Sequence, residues 1–502
     1  MSYRVLAVNP GHNGSAALVV DGKLEFYIEE ERLSRSKYDG NPFRGILEAI
    51  QLGPIDELII AGTANSHVAD LKLPWTGENP YSALVRKFYP NVKTTFAGEE
   101  HHLGHAAGAY YNSGFDTAVA VVVDGAGSYK AIKLGEDERS PQPQGFETES
   151  FFLCSDLTKI DAKYKSFGNN QTFNFKGTSP DGLTFVFDDA VTITKVYEAV
   201  SEYLGFGFIE AGKTMGLAPY GRYDERLKDL FINGRGNKNF VIPNYPAGAF
   251  IDKNRYSFLQ YEPQEEGIDP SKAWHKDPSK VTEIAKNLAW AVQDKTQELI
   301  GDLIELAVDT TGEKNVVLAG GYGLNCVANY YLKKRFPNIN LYVDPVSHDG
   351  GTAIGLAKYA YYVHCKENEI EVPEKEKLDT LYLGIDRSYE IQGFAAQVES
   401  NDTFDVSKVN YNEIAELIAD GNIVSLFQSR SEAGPRALGN RSILFDPRVE
   451  NGKDLVNVVK GREWFRPFAG SVLLEDAAEW FDLAGLEESP FMMYAVDVNT
   501  SK

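Results

Sequence analysis

The chain has 502 residues, 72 acidic and 50 basic side chains, and a formal charge of −22. That length predicts more than one domain, and the acidic balance excludes tight non-specific binding to a phosphate backbone. Three scattered cysteines form no pairing framework, the longest apolar runs are far too short to span a membrane, and Met1–Pro10 lacks a signal-peptide pattern, so a cytoplasmic location is expected.

The chain opens with apolar strands at Tyr3–Val8 and Ser15–Val20, separated by a Pro-Gly-His-Asn-Gly loop. Asp21-Gly22 signals a hairpin into a third strand, Lys23–Ile28. Three of the eight histidines then fall within "HHLGHAAGAYYNSG". If this stretch is helical, His101 and His105 stand one turn apart on one face, a spacing that lets two imidazoles share one ion; His102 with His105 is the alternative. Two imidazoles with carboxylates suit Fe2+, Mn2+ or Zn2+. Asp124 and Asp349 are the candidate carboxylates, because each follows an apolar strand and stands beside glycine.

"TAVAVVVDGAGSYKAIKLG" repeats the strand, glycine loop, strand pattern of the opening, which predicts an internal duplication of two lobes facing a nucleotide. Asp137 to Asp189 is polar and rich in Gly, Asn, Pro and Ser, and predicts a loop-rich excursion or hairpin insert. A helix follows in "AVTITKVYEAVSEYLGF", a glycine-punctuated loop in "EAGKTMGLAPYG", and a long amphipathic helix from about Val281 to Thr310. Two strand–loop–helix units, "NVVLAGGYGLNCVANYYLKKRF" and "NLYVDPVSHDGGTAIGLAKYAYYVHC", complete an α/β pattern whose sites belong at strand C-terminal ends. Candidate nucleotide contacts are Gly125, Gly127, Lys213, Gly320, Gly321 and Asn325; glycine there lets a phosphate, ribose or base lie against backbone.

The charged run Lys366–Lys377 marks a boundary between residues 1–365 and 378–502. In the second part, "QSRSEAGPRALGNRSILFDPR" and "KGREWFRPFAG" gather Arg430, Arg436, Asn440, Arg441, Ser442, Lys460, Arg462 and Arg466 among glycine and proline. Guanidinium forks in such loops match phosphate or carboxylate oxygens, so a separate anion pocket is expected.

Eight segments, from "GHNGSAALVVDGKLEFYIEEERLSRSK" through "HHLGHAAGAYYNSGF", "VVVDGAG", "GKTMGLAPYG", "LAGGYGLNCVAN", "HDGGTAIGLA" and "SEAGPRALGNRSILFDPR" to "REWFRPFAGSV", resemble in order the O-carbamoyltransferases of nodulation, cephamycin and aminoglycoside biosynthesis. The resemblance implies a duplicated actin/sugar-kinase-like domain similar to the tRNA threonylcarbamoyl-transfer domain, followed by an α+β domain that makes carbamoyl-adenylate from carbamoyl phosphate and ATP. It also implies Mg2+ with the ATP and an iron-type site at His101, His105, Asp124 and Asp349. His12 would take the proton of an acceptor hydroxyl, and Lys37 would stabilise charge on the carbamoyl or phosphate oxygens. Two departures stand out. Asn13 replaces the family's usual Asp, and the family's His-Val-Asp-Gly-Thr-like and Asn-Thr-Ser-Phe-Asn-like segments are missing, so an incomplete second domain, or one completed by a separate chain, is expected. A homodimer is expected from the resemblance. The alternative readings are carbamoyl transfer to a hydroxymethylated nucleotide or DNA base, and a non-catalytic ATP-binding scaffold.

Overall fold

The computed structural model describes residues 2–62, 71–132, 142–169, 175–188, 192–228, 241–251, 259, 277–387, 393, 398 and 407–499. The first sheet contains β1 (Arg4–Asn9), β2 (Ser15–Val20), β3 (Lys23–Glu29), β4 (Glu57–Ala61) and β5 (Lys93–Ala97), in the order β3-β2-β1-β4-β5. β1, β2 and β3 pair antiparallel, whereas β4 and β5 run parallel to β1. The second sheet uses β6 (Ala118–Val123), β7 (Tyr129–Ala131), β8 (Gln144–Asp156), β9 (Lys159–Gly168), β10 (Phe175–Thr178), β11 (Thr184–Asp188), β14 (Asn315–Ala319) and β15 (Asn340–Val343); β12 (Val241–Pro243) and β13 (Ala249–Ile251) form a separate ribbon. Its central path, β9-β8-β6-β14-β15, repeats the first sheet strand for strand, with two antiparallel pairings and then two parallel ones. The predicted duplication is therefore a duplication of topology, and the fold is the α/β, actin-like one.

The polar stretch 137–189 is not an appendage. Its described residues are mostly strand, and β8 and β9 are the second and third strands of the repeated unit. β8 is buried along most of its length, with Phe151 in one apolar cluster, Phe152 and Cys154 in a second, and Phe146 against Tyr129. Neighbouring strands on both sides recruit a sequence whose polarity favours a loop. Residues 137–141, 170–174 and 189 lie outside the described residues. "GKTMGLAPYG", expected to be a loop, contains a short helix, Ala211–Leu217, followed by a 3-10 turn. Packing overrides its glycines: Thr214 is buried and shares a 2.7 Å hydrogen bond with Ser201 of the Ile193–Tyr203 helix.

Each sheet is followed by a helix in the equivalent place, His101–Ser113 after β5 and Thr352–Glu367 after β15. The two helices pack directly on each other. A Cβ on Gly355 would collide with the carbonyl oxygen of Gly104, so this crossing is closed to any residue with a side chain. The contact brings the N-terminal halves of both helices together at Gly104 and Gly355.

Beyond the boundary, the chain carries the helices Tyr411–Ala419 and Gly452–Val459 and a ribbon of Val424–Phe427 with Arg441–Leu444. Leu378, Leu381, Leu383 and Ala433 join one core of the first part, and Phe465 and Met493 join another. Among the described residues, no helix is long and apolar enough to cross a membrane.

Candidate active site

His101, His105, Asp124 and Asp349, far apart in sequence, converge in one buried cluster. His101 and His105 come from the first turns of the His101–Ser113 helix, Asp124 from the end of β6, and Asp349 from a one-turn 3-10 helix after β15. One donor atom from each lies within 4.8 Å of all the others, and all four residues are buried. His101 Nε2 is 3.1 Å from His105 Nε2, 3.2 Å from Asp124 Oδ2 and 3.8 Å from Asp349 Oδ1. His105 Nε2 is 3.9 Å from the same Asp349 oxygen.

The tautomer of His101 follows from its other nitrogen. Nδ1 stands 3.0 Å from the carbonyl oxygen of Gly62, which can only accept, so Nδ1 carries a proton and donates it. In the neutral ring, Nε2 then offers its lone pair to the cluster, as in metal sites whose imidazoles are oriented by an outer acceptor. Burial opposes charge on His101, but Asp349 and Asp124 overcome it and raise its pKa to about 9. Burial, reinforced by His101, holds His105 well below the usual histidine range. Asp124 is itself buried, yet His101 keeps it well below the usual carboxylate range. Two imidazole nitrogens and two carboxylate oxygens, dry and mutually oriented, fit a borderline divalent cation such as Fe2+, Mn2+ or Zn2+.

His102 points elsewhere. Its Nδ1 meets Ser150 Oγ at 2.8 Å, and its ring fills the space a Cβ on Gly127 would need. Burial lowers its pKa to about 4. It is a neutral packing residue, and Gly127 serves that packing.

Above the four-residue cluster opens a cleft of about 540 Å3. Of the residues singled out in the sequence, His12, Lys37, Asp124, Gly125, Lys213, Gly321, Asn325 and Asp349 line it from the first part, and Arg436, Arg462 and Arg466 from the second. His12 Nε2 approaches Asp349 Oδ2 at 3.3 Å and remains about half exposed. Asp349, not Asn13, is therefore the imidazole's partner; Asn13 adopts the left-handed conformation, φ 58°, which asparagine tolerates. Lys37 faces Glu210 at 3.7 Å and covers the Tyr38 ring. Lys213 bridges Glu210 at 2.9 Å and Glu463 at 3.1 Å, joining the two parts across the cleft. Asn325 caps the helix Cys326–Arg335 by accepting from the Ala328 amide.

The remaining singled-out residues do not face this cleft. Gly320 allows β14 to pass close to the Val123 backbone. Arg430 donates to the carbonyls of Glu25, Leu383 and Gly384 at 2.7–2.9 Å. Arg441 donates to the carbonyls of Gln428, Ser429 and Asn440 and stacks over Phe427. Asn440 donates to the Arg430 carbonyl, and Ser442 Oγ accepts from the Gly439 amide. Lys460 stands near Arg462 and Arg466; burial and those two charges lower its pKa. The expected single arginine pocket is thus divided: three arginines reach the main cleft, while Arg430 and Arg441 brace the loop between them.

Several cleft residues were not singled out in the sequence. Glu29 and His348 form a buried pair at 3.2 Å. Lys195 and Glu198 pair at 2.7 Å, and burial pushes Glu198 up to about 6 against the pull of Lys195. An acid directly after the apolar run Phe26-Tyr27-Ile28 was the available signal for the first pair. Lys195 and Glu198 look like any i,i+3 surface pair until the fold buries them.

A family model described as the carbamoyltransferase N-terminus matches residues 68–358, and one described as the carbamoyltransferase C-terminus matches residues 415–502. Nodulation protein NolNO of Sinorhizobium fredii is 31% identical over 98% of this chain and 67% of its own length. Nodulation protein NolO of Bradyrhizobium diazoefficiens is 28% identical over 80% of this chain and 63% of its own length. The 3'-hydroxymethylcephem-O-carbamoyltransferase of Amycolatopsis lactamdurans is 24% identical over 98% of this chain and 82% of that enzyme. With one family model spanning more than half of its residues and a second spanning its last part, this chain belongs to the carbamoyltransferase family of enzymes.

Proposed function

We propose that this chain is an ATP-dependent O-carbamoyltransferase. It would release phosphate from carbamoyl phosphate with one water, join the resulting carbamate oxygen to the α-phosphorus of ATP with loss of pyrophosphate to give carbamoyl-adenylate, and pass the carbamoyl group to a hydroxyl of a small-molecule acceptor. The observation that carries this reading is the placement of half-exposed His12 against Asp349, directly over the buried His101, His105 and Asp124, in a cleft that also receives Arg436, Arg462 and Arg466.

A divalent cation held by His101, His105, Asp124 and Asp349 would supply positive charge opposite the adenylate phosphate. The chain's own residues account for the rest. Gly125 and Gly321 leave backbone open to the nucleotide, and Gly321 N–H already donates to Asp124 Oδ1 at 3.1 Å, fixing that carboxylate. Lys37 and Lys213 stand on the cleft wall, where cations offset phosphate charge. His12 is placed to accept the acceptor's hydroxyl proton while the oxygen attacks the carbamoyl carbon. The bond between that carbon and the phosphate oxygen then breaks, and AMP leaves.

The test is incubation with ATP, carbamoyl phosphate, Mg2+ and Fe2+ or Mn2+ across a panel of hydroxyl acceptors. AMP release together with a carbamoylated acceptor by mass spectrometry is expected; absence of AMP with every acceptor would remove the reading.

A further inference from the structure

Glu29 ends β3 as a buried carboxylate, its side chain 3% exposed, and it does not belong to the four-residue cluster. Its contacts come from three directions. Oε1 accepts from the Gly434 amide at 2.9 Å and from the Tyr27 hydroxyl at 3.3 Å. His348 Nε2 approaches the same oxygen at 3.2 Å, and Arg32 approaches Oε2 at 3.4 Å. Arg32 also donates to the Gly434 carbonyl at 2.7 Å. Glu29 and Arg32 therefore grip both polar groups of a single peptide residue from the second part of the chain.

Gly434 suits this grip. Its φ is +81°, and a Cβ there would stand 3.1 Å from the Pro345 carbonyl oxygen, just before the turn that holds Asp349. Two residues on, Arg436 enters the cleft and donates to the Leu324 carbonyl at 3.0 Å.

On the other side, His348 has a defined tautomer. Its Nδ1 accepts from the Gly350 amide at 3.0 Å, so the ring proton lies on Nε2 and is donated to Glu29. His348 is the N-cap of the Asp349–Gly351 turn, and Ser15 Oγ fixes the Gly350 carbonyl at 2.8 Å. The orientation of His348 sets the turn, and the turn sets Asp349, whose two oxygens face His12 and His101.

We infer that Glu29 is a positioning residue that ties the seating of the 431–436 loop to the shape of the turn carrying Asp349. Withdrawal of the loop would leave Glu29 without the Gly434 donor and with an altered hold on His348. One carboxylate thus makes the delivery of Arg436 to the cleft and the aim of Asp349 interdependent. The consequence for metal affinity rests on the proposal that Asp349 is a ligand; the coupling of loop to turn does not.

Hydrogen exchange on the full chain tests the coupling without any metal. Glu29→Gln preserves volume but puts an amide NH2 among donors. It should speed amide exchange about fivefold or more in both 346–351 and 431–436, with other segments unchanged. Arg32→Gln withdraws the other half of the grip, the donor to the Gly434 carbonyl, and should loosen the 346–351 turn as well. The double variant should match the single ones, since both break one interaction. Mn2+ affinity, read from the EPR signal of free ion, should fall about tenfold or more in each variant, the usual cost of losing an outer partner. Loosening of one segment alone or additive effects in the double variant would overturn the assignment; joint loosening at unchanged Mn2+ affinity would uphold the coupling and remove Asp349 from the proposed ligands. Should the unaltered protein bind no Mn2+, the metal proposal falls, and the exchange data alone decide for or against Glu29.

Discussion

His105 offers Nε2 to a space already faced by His101 Nε2 and two carboxylates. Its loss removes a donor outright, unlike the loss of an outer partner. His105→Ala is expected to lower Mn2+ affinity more than about 100-fold by titration calorimetry, beyond what outer-partner losses cost. His12 is expected to act only in the transfer step. His12→Gln should reduce carbamoyl transfer and AMP release by about 100- to 10,000-fold while the first-turnover formation of carbamoyl-adenylate and pyrophosphate from ATP and carbamoyl phosphate keeps near its original rate, a split measured by following the pyrophosphate burst and the carbamoylated product separately. At this scale the sequence was informative where spacing alone sufficed: two histidines one turn apart on a helix must share a face. It was silent on Glu29 and Lys195, because burial of a charged side chain depends on which elements close over it.

Packing of the helix His101–Ser113 against Thr352–Glu367 sets the distance between the histidines and Asp349. The two approach backbone to backbone at Gly104 and Gly355. Gly355→Ala forces them apart and is expected to lower stability by about 1–3 kcal/mol in urea unfolding, with weaker Mn2+ binding in the protein that remains folded. The same pair of helices buries Lys358, whose Nζ donates to Asn112 Oδ1 at 3.0 Å. Burial lowers its pKa to about 8, against an ordinary value of 10.5. Between those values the unfolded chain binds the proton that the folded chain has released. This group's contribution is therefore present above pH 10.5 and is lost as the pH falls to about 8. The stability difference between the native chain and Lys358→Met should move in favour of the native chain by on the order of 1–2 kcal/mol from pH 8 to 9.5, measured by denaturant unfolding. Helices and strands with clear periodicity were legible from sequence, including the long helix near residues 281–310, observed as Glu283–Thr311. The stretch 144–168 was legible as a loop-rich excursion or hairpin but not as part of the second sheet, because its strands are held by partners on both sides and their sequence is polar.

Across the whole molecule, the second part of the chain is held to the first by backbone recognition. Arg430 spans three carbonyls, two at the start of the second part and one in β3 of the first. Arg430→Ala is expected to accelerate limited proteolysis within 407–499 several-fold while peptides of the first part keep their native cleavage rate. A lysine should not restore protection, because one ammonium cannot reproduce the planar fork. By itself the sequence determined the α/β class, two units that each open with a strand and a glycine loop, and the shared face of His101 and His105, since hydrophobic period and helical spacing are local properties; the second unit's partner strand is β8, not the Tyr129–Ala131 strand expected from the sequence. Only the tertiary structure decided that Asp124 and Asp349 join those histidines, that Arg436, Arg462 and Arg466 face the cleft while Arg430 and Arg441 brace backbone, and that Glu29 is buried between the two parts. Those outcomes depend on sheet pairing and on a glycine-sized helix crossing, which bring together residues hundreds of positions apart.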